Sequence, residues 1–423
     1  MQVKQKNSFD KYKFAFLIFA FIFAYNFFIV NRFELCRIDN VTYTYHIVDF
    51  SLGFCTKLLP GAVYNAIFSS TDSAMVNAYF SVLYFVFMAA VSLFLGRYIS
   101  EAKPENKLAA LVAVMFFVSG PATFSLHAKE FGMLDTYWLF FSLAVMAFLQ
   151  SKYLKWIVPL FFALALLIHI SAIVSFVPFM ALLVLLEASR EKENKKSFCT
   201  IFGFSAALSL LLFAYFAVAE NENLVYDIKE FGEFIHKRNL SEWPDYTVYY
   251  DYALYKKPYL QYSTDKITGE ILIEGTGFLA KIVNAAWSQI AITFTTYSTL
   301  SDGYYLELLN MVFFTLPVTA VLYRYVFVSF KKSKGNPLRR FVWFCSLFLF
   351  PLAFFAGSLG SPDITRWYGH AFMLVFSLVI YEMSRTQEVV SVSKNKNKQS
   401  VYFIVTAVYY LLYAVCTVEP YCY

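Results

Sequence analysis

The sequence predicts an all-α protein, a polytopic integral membrane helix bundle with about 11 transmembrane helices. Its composition is 59% hydrophobic and only 15% charged, which leaves too little polar surface to cover a water-soluble protein of 423 residues. The apolar residues occur in blocks separated by short charged turns. Several blocks approach the roughly 20 residues that an α-helix needs to cross the hydrocarbon core of a bilayer.

Eleven apolar runs serve as predicted spans within a single transmembrane domain, residues 1–423. They are residues 12–30, 74–95, 108–125, 134–150, 156–169, 171–187, 198–219, 305–328, 341–358, 367–383 and 401–418. The first run follows several lysines and has no small-residue cleavage site, so it is expected to remain as an anchor. Charged turns flank residues 156–186 on both sides. This favours a tight hairpin of two short helices turning near His169.

Lysine and arginine gather at alternate ends of the spans, which predicts a cytoplasmic N-terminus. The charged run that begins at Glu187 is interpreted as one of the cytoplasmic turns. Two extracytoplasmic loops follow from this topology, residues 31–72 and the tyrosine-rich residues 220–304. The second loop contains an amphipathic segment suited to the membrane interface. Because basic residues are scattered between spans, no nucleic-acid partner is expected, and the bilayer is the expected surroundings.

Several signatures of soluble chemistry are absent from the sequence. It contains no Walker loop, no GxGxxG after a strand, no HExxH and no GxSxG, which argues against ATP-driven transport and nicotinamide chemistry. No cofactor is expected. The Asp and His clusters would tolerate a divalent metal, but no ligand spacing demands one.

All five histidines fall on or beside predicted outer segments. The sharpest local pattern opens the tenth span, where spacings of three and four residues place Asp363, Arg366 and His370 on one helical face. An arginine at a helix start is favoured when it and the free N–H groups bind an anion such as phosphate. The alternative is structural, with Asp363 pairing with Arg366 in the first turn.

A second polar group lies in the turn between the third and fourth spans. His127, Lys129, Glu130 and Asp135 occur within nine residues at a membrane boundary, where they must be solvated or paired. They could line a site. Alternatively, Asp135 merely caps the fourth span.

Three further candidates complete the predicted site. His169 interrupts an apolar run, so it is expected to be buried against protein, either as a functional group or as a structural hydrogen-bonding residue. In the first outer loop, Arg37 could hold a diphosphate and Asp39 could act as a general base, although Asp49 is an equivalent choice. Ordinary solvated charges in a loop would give the same residue pattern.

The large outer loop carries eight aromatic residues within twenty positions, with Tyr249 and Tyr250 at its centre. Flat amphipathic rings can stack on the apolar faces of sugars, while their hydroxyl groups bond the sugar rims. A tyrosine belt at the membrane interface would give a similar composition.

The helical core resembles glycan-assembly proteins of bacterial envelopes, namely the GT-C glycosyltransferases and the Wzy or EpsG polysaccharide polymerases. The segment 154–185 with its Leu-Ile-His-Ile-Ser-Ala centre at His169 resembles the helix pair of EpsG-like polymerases. Phe131-Gly132-Met133-Leu134-Asp135 is similar to the Gly-x-x-Asp helix entry of GT-C proteins. The Asp-x-x-Arg-Trp sequence that starts at Asp363 resembles a pattern in related envelope proteins.

This resemblance implies a glycosyltransferase or polysaccharide polymerase in the bacterial inner (plasma) membrane. Its partner would be a polyprenyl-linked sugar or oligosaccharide, used at the outer leaflet in polysaccharide biosynthesis. Arg366, with Lys129 or Arg37, would neutralise the departing phosphate, and the histidines would bind phosphate or relay protons. The alternative is a flippase or transporter of a lipid-linked or anionic substrate. An acyl or phosphoethanolamine transferase is a third option.

Overall fold

The protein is described from a computed structural model. The structure describes residues 8–30, 40–52, 56–68, 73–103, 107–119, 134–191, 193–218, 302–360, 364–386 and 396–416, with the single residues Phe33, Phe54, Ala280, Val283, Asn284 and Trp287. Within these ranges the regular structure is helical, without strands. The α-helices are α1 (Ser8–Tyr25), α2 (Asn40–Ile47), α3 (Leu59–Ile67), α4 (Ser73–Glu101), α5 (Lys107–Ser119), α6 (Leu134–Phe148), α7 (Val158–Ile168), α8 (Phe176–Arg190), α9 (Lys195–Val218), α10 (Asp302–Lys332), α11 (Pro337–Gly360), α12 (Ile364–Thr386) and α13 (Lys396–Cys416).

Four segments in the described part of the chain are long and apolar enough to cross a membrane, which indicates a membrane protein. They are Ala74–Glu101, Lys195–Ala217, Leu308–Gly335 and Pro337–Ser358. Each of the other predicted spans also contains a helix, several of them shorter. The predicted loop 31–72 includes α2 and α3, and α2 is packed into the bundle, with residues 42–47 buried.

Helix α12 forms the centre of the bundle. Nearly every side chain from Thr365 to Met383 is buried. Helices α8, α10 and α11 all pack against it. A helix that is covered on all sides belongs to the core of a large bundle. The packing around α12 therefore determines the positions of its polar side chains.

A cluster of aromatic rings joins α12 to α5, α10 and α13. Phe116 of α5 is completely buried, and its ring lies 5.2 Å from that of Phe314 on α10 and 5.3 Å from those of Phe372, Phe376 and Tyr410. Rings at such separations attract one another beyond the gain from area burial. One side chain therefore connects α5, α10, α12 and α13.

Tyrosine side chains of α13 hydrogen-bond to α10 on either side of a proline inside that helix. Pro317 has no N–H to donate to the carbonyl of Phe313, and inside a membrane a freed carbonyl must find another donor. The Tyr409 hydroxyl donates to the Phe313 carbonyl at 3.2 Å, and the Tyr402 hydroxyl donates to that of Pro317 at 2.6 Å. The carbonyl that Pro317 leaves without a backbone donor is thus satisfied by a side chain of the neighbouring helix.

Basic side chains collect at one end of the bundle, named here the basic end. It contains the last turns of α4, α8, α10 and α12 and the first turns of α9, α11 and α13. The start of α1 also faces this end, because Gly96 of α4 lies so close to Ala15 that an added Cβ would be 2.6 Å from its backbone nitrogen. The opposite end holds the starts of α6, α8 and α12 and is named the histidine end.

An ion cluster anchors the basic end. The carboxylates of Glu187 on α8 and Glu382 on α12 are completely buried. Arg190 pairs with both carboxylates and Arg339 of α11 pairs with Glu382, while Arg385 lies 3.4 Å from Glu187. Charges removed from water are tolerated only with such partners. The cluster therefore holds α8, α11 and α12 together.

Asn336 completes this junction. Its side-chain oxygen accepts the Arg339 backbone N–H at 3.1 Å, capping α11 just before Pro337. Its side-chain nitrogen donates to the Ser189 carbonyl of α8 at 2.8 Å. One amide thus starts α11 and attaches it to the end of α8.

Glu382→Gln should lower the free energy of unfolding by about 3–5 kcal/mol, because it leaves Arg190 and Arg339 without one of their buried counter-charges. The matched control is Glu101→Gln. Glu101 pairs with Arg97, whose side chain is 59% exposed, so this change should alter stability by less than about 1 kcal/mol. Unfolding in detergent micelles measures both. Equal losses in the two variants would contradict a structural role for the cluster.

Candidate functional site

Two of the predicted histidines meet at one tryptophan at the histidine end. Trp138 of α6 is completely buried, and its ring centroid lies 6.1 Å from that of His169 and 6.4 Å from that of His370. Both imidazoles stand edge-on to the indole. Phe176 and Trp367 pack on His370 at 6.3 and 6.2 Å. These five side chains are called the histidine cluster below.

The hydrogen bonds of His169 define its tautomer. The backbone N–H of Ser171 donates to Nδ1 at 3.1 Å, and the Ser171 hydroxyl lies 2.6 Å from the same nitrogen. An atom that accepts a backbone N–H cannot carry a proton, so the proton of the neutral ring is on Nε2. The neutral His169 ring therefore has its N–H donor at Nε2.

The turn at His169 is held by donors from two other parts of the chain. The indole N–H of Trp138 donates to the Ala165 carbonyl at 3.1 Å. The Thr56 hydroxyl and the Lys57 backbone N–H donate to the carbonyls of the next two residues, at 2.9 and 2.8 Å. The last two bonds satisfy carbonyls that the end of α7 leaves unpaired, whereas the Ala165 carbonyl also accepts the His169 backbone N–H at 3.0 Å. The break between α7 and α8 is consequently rigid, and it fixes His169.

Lys57 was not among the predicted site residues. Its side chain is buried, with the ammonium 5.7 Å from the Tyr45 ring centroid, and its backbone φ is 72°. Residues other than glycine seldom adopt this backbone conformation, and those that do concentrate at functional sites. The strain allows the Lys57 N–H to reach α7 while it brings a cation toward the histidine end. A lysine in a loop gives no sequence signal of either property.

Arg366 and His370 lie one turn apart near the start of α12. His370 is buried and Arg366 is half-buried. The neighbouring Trp367 is pressed against Gly357 of α11, where an added Cβ would come within 2.1 Å of the indole ring. A glycine at this crossing lets α11 approach α12 closely enough to hold Trp367 against His370.

His46 lies outside the predicted site residues but forms its own buried network. Its Nδ1–H donates to the Thr42 carbonyl at 2.7 Å, and its Nε2 accepts from the Tyr137 hydroxyl at 2.6 Å. Tyr137 in turn hydrogen-bonds to Tyr79. Burial lowers the pKa of His46 from 6.5 to about 4, with a smaller opposing effect of the Thr42 carbonyl. This neutral histidine attaches α2 to α4 and α6.

Most other predicted site residues lie outside the described residues. Asp135 is the second residue of α6, one turn before Trp138, and only its backbone is described. The residues whose placement is not described are Arg37, Asp39, His127, Lys129, Glu130, Tyr249, Tyr250 and Asp363. In the described part of the chain, no group of three or more His, Cys, Asp or Glu side chains could hold a metal ion.

Gly357→Ala should displace Trp367 and so disturb the histidine cluster, with a loss of about 1–3 kcal/mol in unfolding free energy from overpacking. Gly203→Ala in α9 is the matched control. Nothing lies within 4 Å of a Cβ at that position, so it should be neutral or slightly stabilising. Thermal unfolding and tryptophan fluorescence in detergent measure the two effects. Indistinguishable variants would refute the close approach.

The stability of the wild type should fall as the pH is lowered from about 6.5 to about 4, through His46. In this window the unfolded chain binds a proton that the folded protein excludes, which removes up to about 3 kcal/mol of stability. His46→Asn keeps a donor near the Thr42 carbonyl but cannot titrate. Its melting temperature should depend less on pH, whereas parallel curves for the two proteins would exclude His46 as the cause.

The histidine cluster thus combines an N–H donor on His169 with a buried His370, and the half-buried Arg366 lies one turn before His370 at the same end of the bundle. No family model, no curated protein and no solved structure matches this chain.

Proposed function

We propose that the protein is a multi-pass glycosyltransferase or polysaccharide polymerase of a bacterial inner membrane, acting on a polyprenyl-(di)phosphate-linked sugar. The observation that carries the proposal is the packing of His169 and His370 against Trp138. Arg366 lies one helical turn before His370 on α12. Imidazole and guanidinium groups in a partly dry site suit a phosphate leaving group.

The distribution of charge supports a proposed orientation of the site relative to the membrane. The basic end carries the lysines and arginines of at least seven helix termini, and such residues are retained on the cytoplasmic side. The start of α1 lies at this end, which supports a cytoplasmic N-terminus. The histidine end then faces outward, where a lipid-linked sugar meets its glycan acceptor. The proposal keeps eleven membrane crossings, since each predicted span contains a helix.

In the proposed reaction, an acceptor hydroxyl oxygen bonds to the anomeric carbon of the donor sugar as the bond from that carbon to the phosphate oxygen breaks. The phosphate oxygen keeps the electron pair, and the hydroxyl proton passes to a carboxylate. Asp39, Asp135 and Asp363 are the candidates for this base. Arg366 and the Nε2–H of His169 would neutralise the charge that develops on the leaving phosphate.

Arg366→Ala should reduce turnover about a hundredfold or more, because a donor aimed at developing charge contributes roughly 3 kcal/mol in such sites. Arg340→Ala is the matched control, since Arg340 is exposed at the basic end and stacks on Phe330. The assay uses purified protein in nanodiscs with a defined polyprenyl-diphosphate sugar and an acceptor, and it detects the new glycosidic bond by mass spectrometry.

Full activity of Arg366→Ala at normal expression would refute the assigned role of Arg366. Movement of the lipid-linked sugar across the bilayer without a new glycosidic bond would identify a flippase instead. The two results are separable because one is read from the product and the other from the leaflet that the donor occupies.

A further inference from the structure

A cavity of about 520 Å³ lies at the basic end, far from the histidine cluster. It is bounded by the last turns of α4, α6 and α12. Its volume is within the range of roughly 300–1,000 Å³ that is usual for small-molecule pockets. None of the residues assigned to the proposed glycosyl transfer borders it.

The α4 wall of the cavity changes from apolar to charged along one helical face. Ala90, Leu93 and Phe94 form its inner part, and Arg97 and Glu101 follow at the basic end. The spacing of three and four residues keeps all of them on the same side of the helix. The guanidinium of Arg97 contacts Glu101 at 2.9 Å, yet its side chain is 59% exposed, so this pair holds Arg97 only weakly.

The α6 wall repeats this polarity. Phe140, Leu143 and Ala144 form the inner part, and Gln150 lies beyond the helix end. Leu93 on α4 and Ala147 on α6 are exposed, although both border the cavity. Exposed apolar positions on membrane helices face lipid, so the cavity is open to the side, into the leaflet at the basic end.

Arg385 of α12 supplies a second cation. Its guanidinium lies 3.4 Å from the buried carboxylate of Glu187 and 4.0 Å from that of Glu191, which is partly exposed. Arg385 is the arginine held least closely, at 3.4 Å from Glu187. Its Nε is buried and has no hydrogen-bond partner among the described residues, an arrangement that is costly unless an acceptor binds there.

We propose that this cavity binds the headgroup of a phosphate-headed lipid from the leaflet at the basic end, with Arg97 and Arg385 on the phosphate and the first part of an acyl chain between Leu93 and Leu143. Two arginines line the polar end, and the exposed Arg97 and the Nε–H of Arg385, which has no partner in the described part of the chain, are both available to an anion. Guanidinium groups match phosphate oxygens in geometry as well as charge. The apolar walls and the lateral opening favour a lipid over a free phosphate.

The test is a titration of purified protein in detergent with phosphatidic acid, followed by native mass spectrometry. Two fragments of phosphatidic acid serve as competing ligands. Diacylglycerol lacks the phosphate, and glycerol 3-phosphate lacks the acyl chains. We expect saturable binding of phosphatidic acid, and no competition by either fragment at the same concentration. Glycerol 3-phosphate competing as well as phosphatidic acid would overturn the lipid assignment.

Three variants locate the binding. Arg97→Gln should weaken it about tenfold by removing a charged hydrogen bond. Ala144→Trp should weaken it at least as much by filling the apolar part of the cavity, while Arg340→Gln, which removes an exposed basic-end charge outside the cavity, should bind normally. Arg97 is exposed and outside the ion cluster, so its replacement leaves the fold intact.

Unchanged binding of phosphatidic acid in both Arg97→Gln and Ala144→Trp would overturn the site. An equal loss of binding in Arg340→Gln would also overturn it, because it would indicate only general attraction to a basic surface. Melting temperatures recorded on the same samples show that each variant is folded. Because the site is at the opposite end from the histidine cluster, these results do not depend on the proposed glycosyl transfer.

Discussion

The rest of the bundle depends on keeping two carboxylates paired where water is scarce. Glu187 and Glu382 are completely buried, and neither would remain charged there without the arginines that contact them. An ion pair of this kind contributes little net stability compared with apolar packing, but it allows few alternative arrangements. Its value to the fold is therefore the register that it sets between α8 and α12, the two helices that carry the carboxylates.

That register connects the two ends of the molecule. Near its start, Phe176 of α8 packs on His370 of α12, and about three helical turns later Glu187 accepts a hydrogen bond from the Tyr381 hydroxyl at 2.8 Å. Phe176 and Glu187 are as far apart in sequence as His370 and Tyr381. Both contacts therefore join the same face of α8 to the same face of α12. Arg366 and Arg385 are then about 28 Å apart along α12, close to the thickness of the hydrocarbon core.

Sequence patterns predicted the helices and the hairpin break at His169, because these depend on local hydrophobicity and charge. They did not predict that Glu187 is buried, since a charged run after an apolar one is normally solvated. Glu382, which shares Arg190 with Glu187, is distant in sequence. The buried Lys57 and the bond between His46 and Tyr137 were missed for the same reason. His169 and His370 were named individually, whereas their common contact with Trp138 required the packing of three helices.

The central helix also bears on the choice between catalysis and transport. Between His370 and Tyr381, α12 has one polar side chain, Ser377, and otherwise apolar residues. An anionic substrate moving along this helix would meet no charged side chain of α12 between His370 and Tyr381, and desolvated charge without a partner is strongly disfavoured. Chemistry confined to one end needs no such path. The polarity of α12 therefore argues against the passage of an anion along this helix.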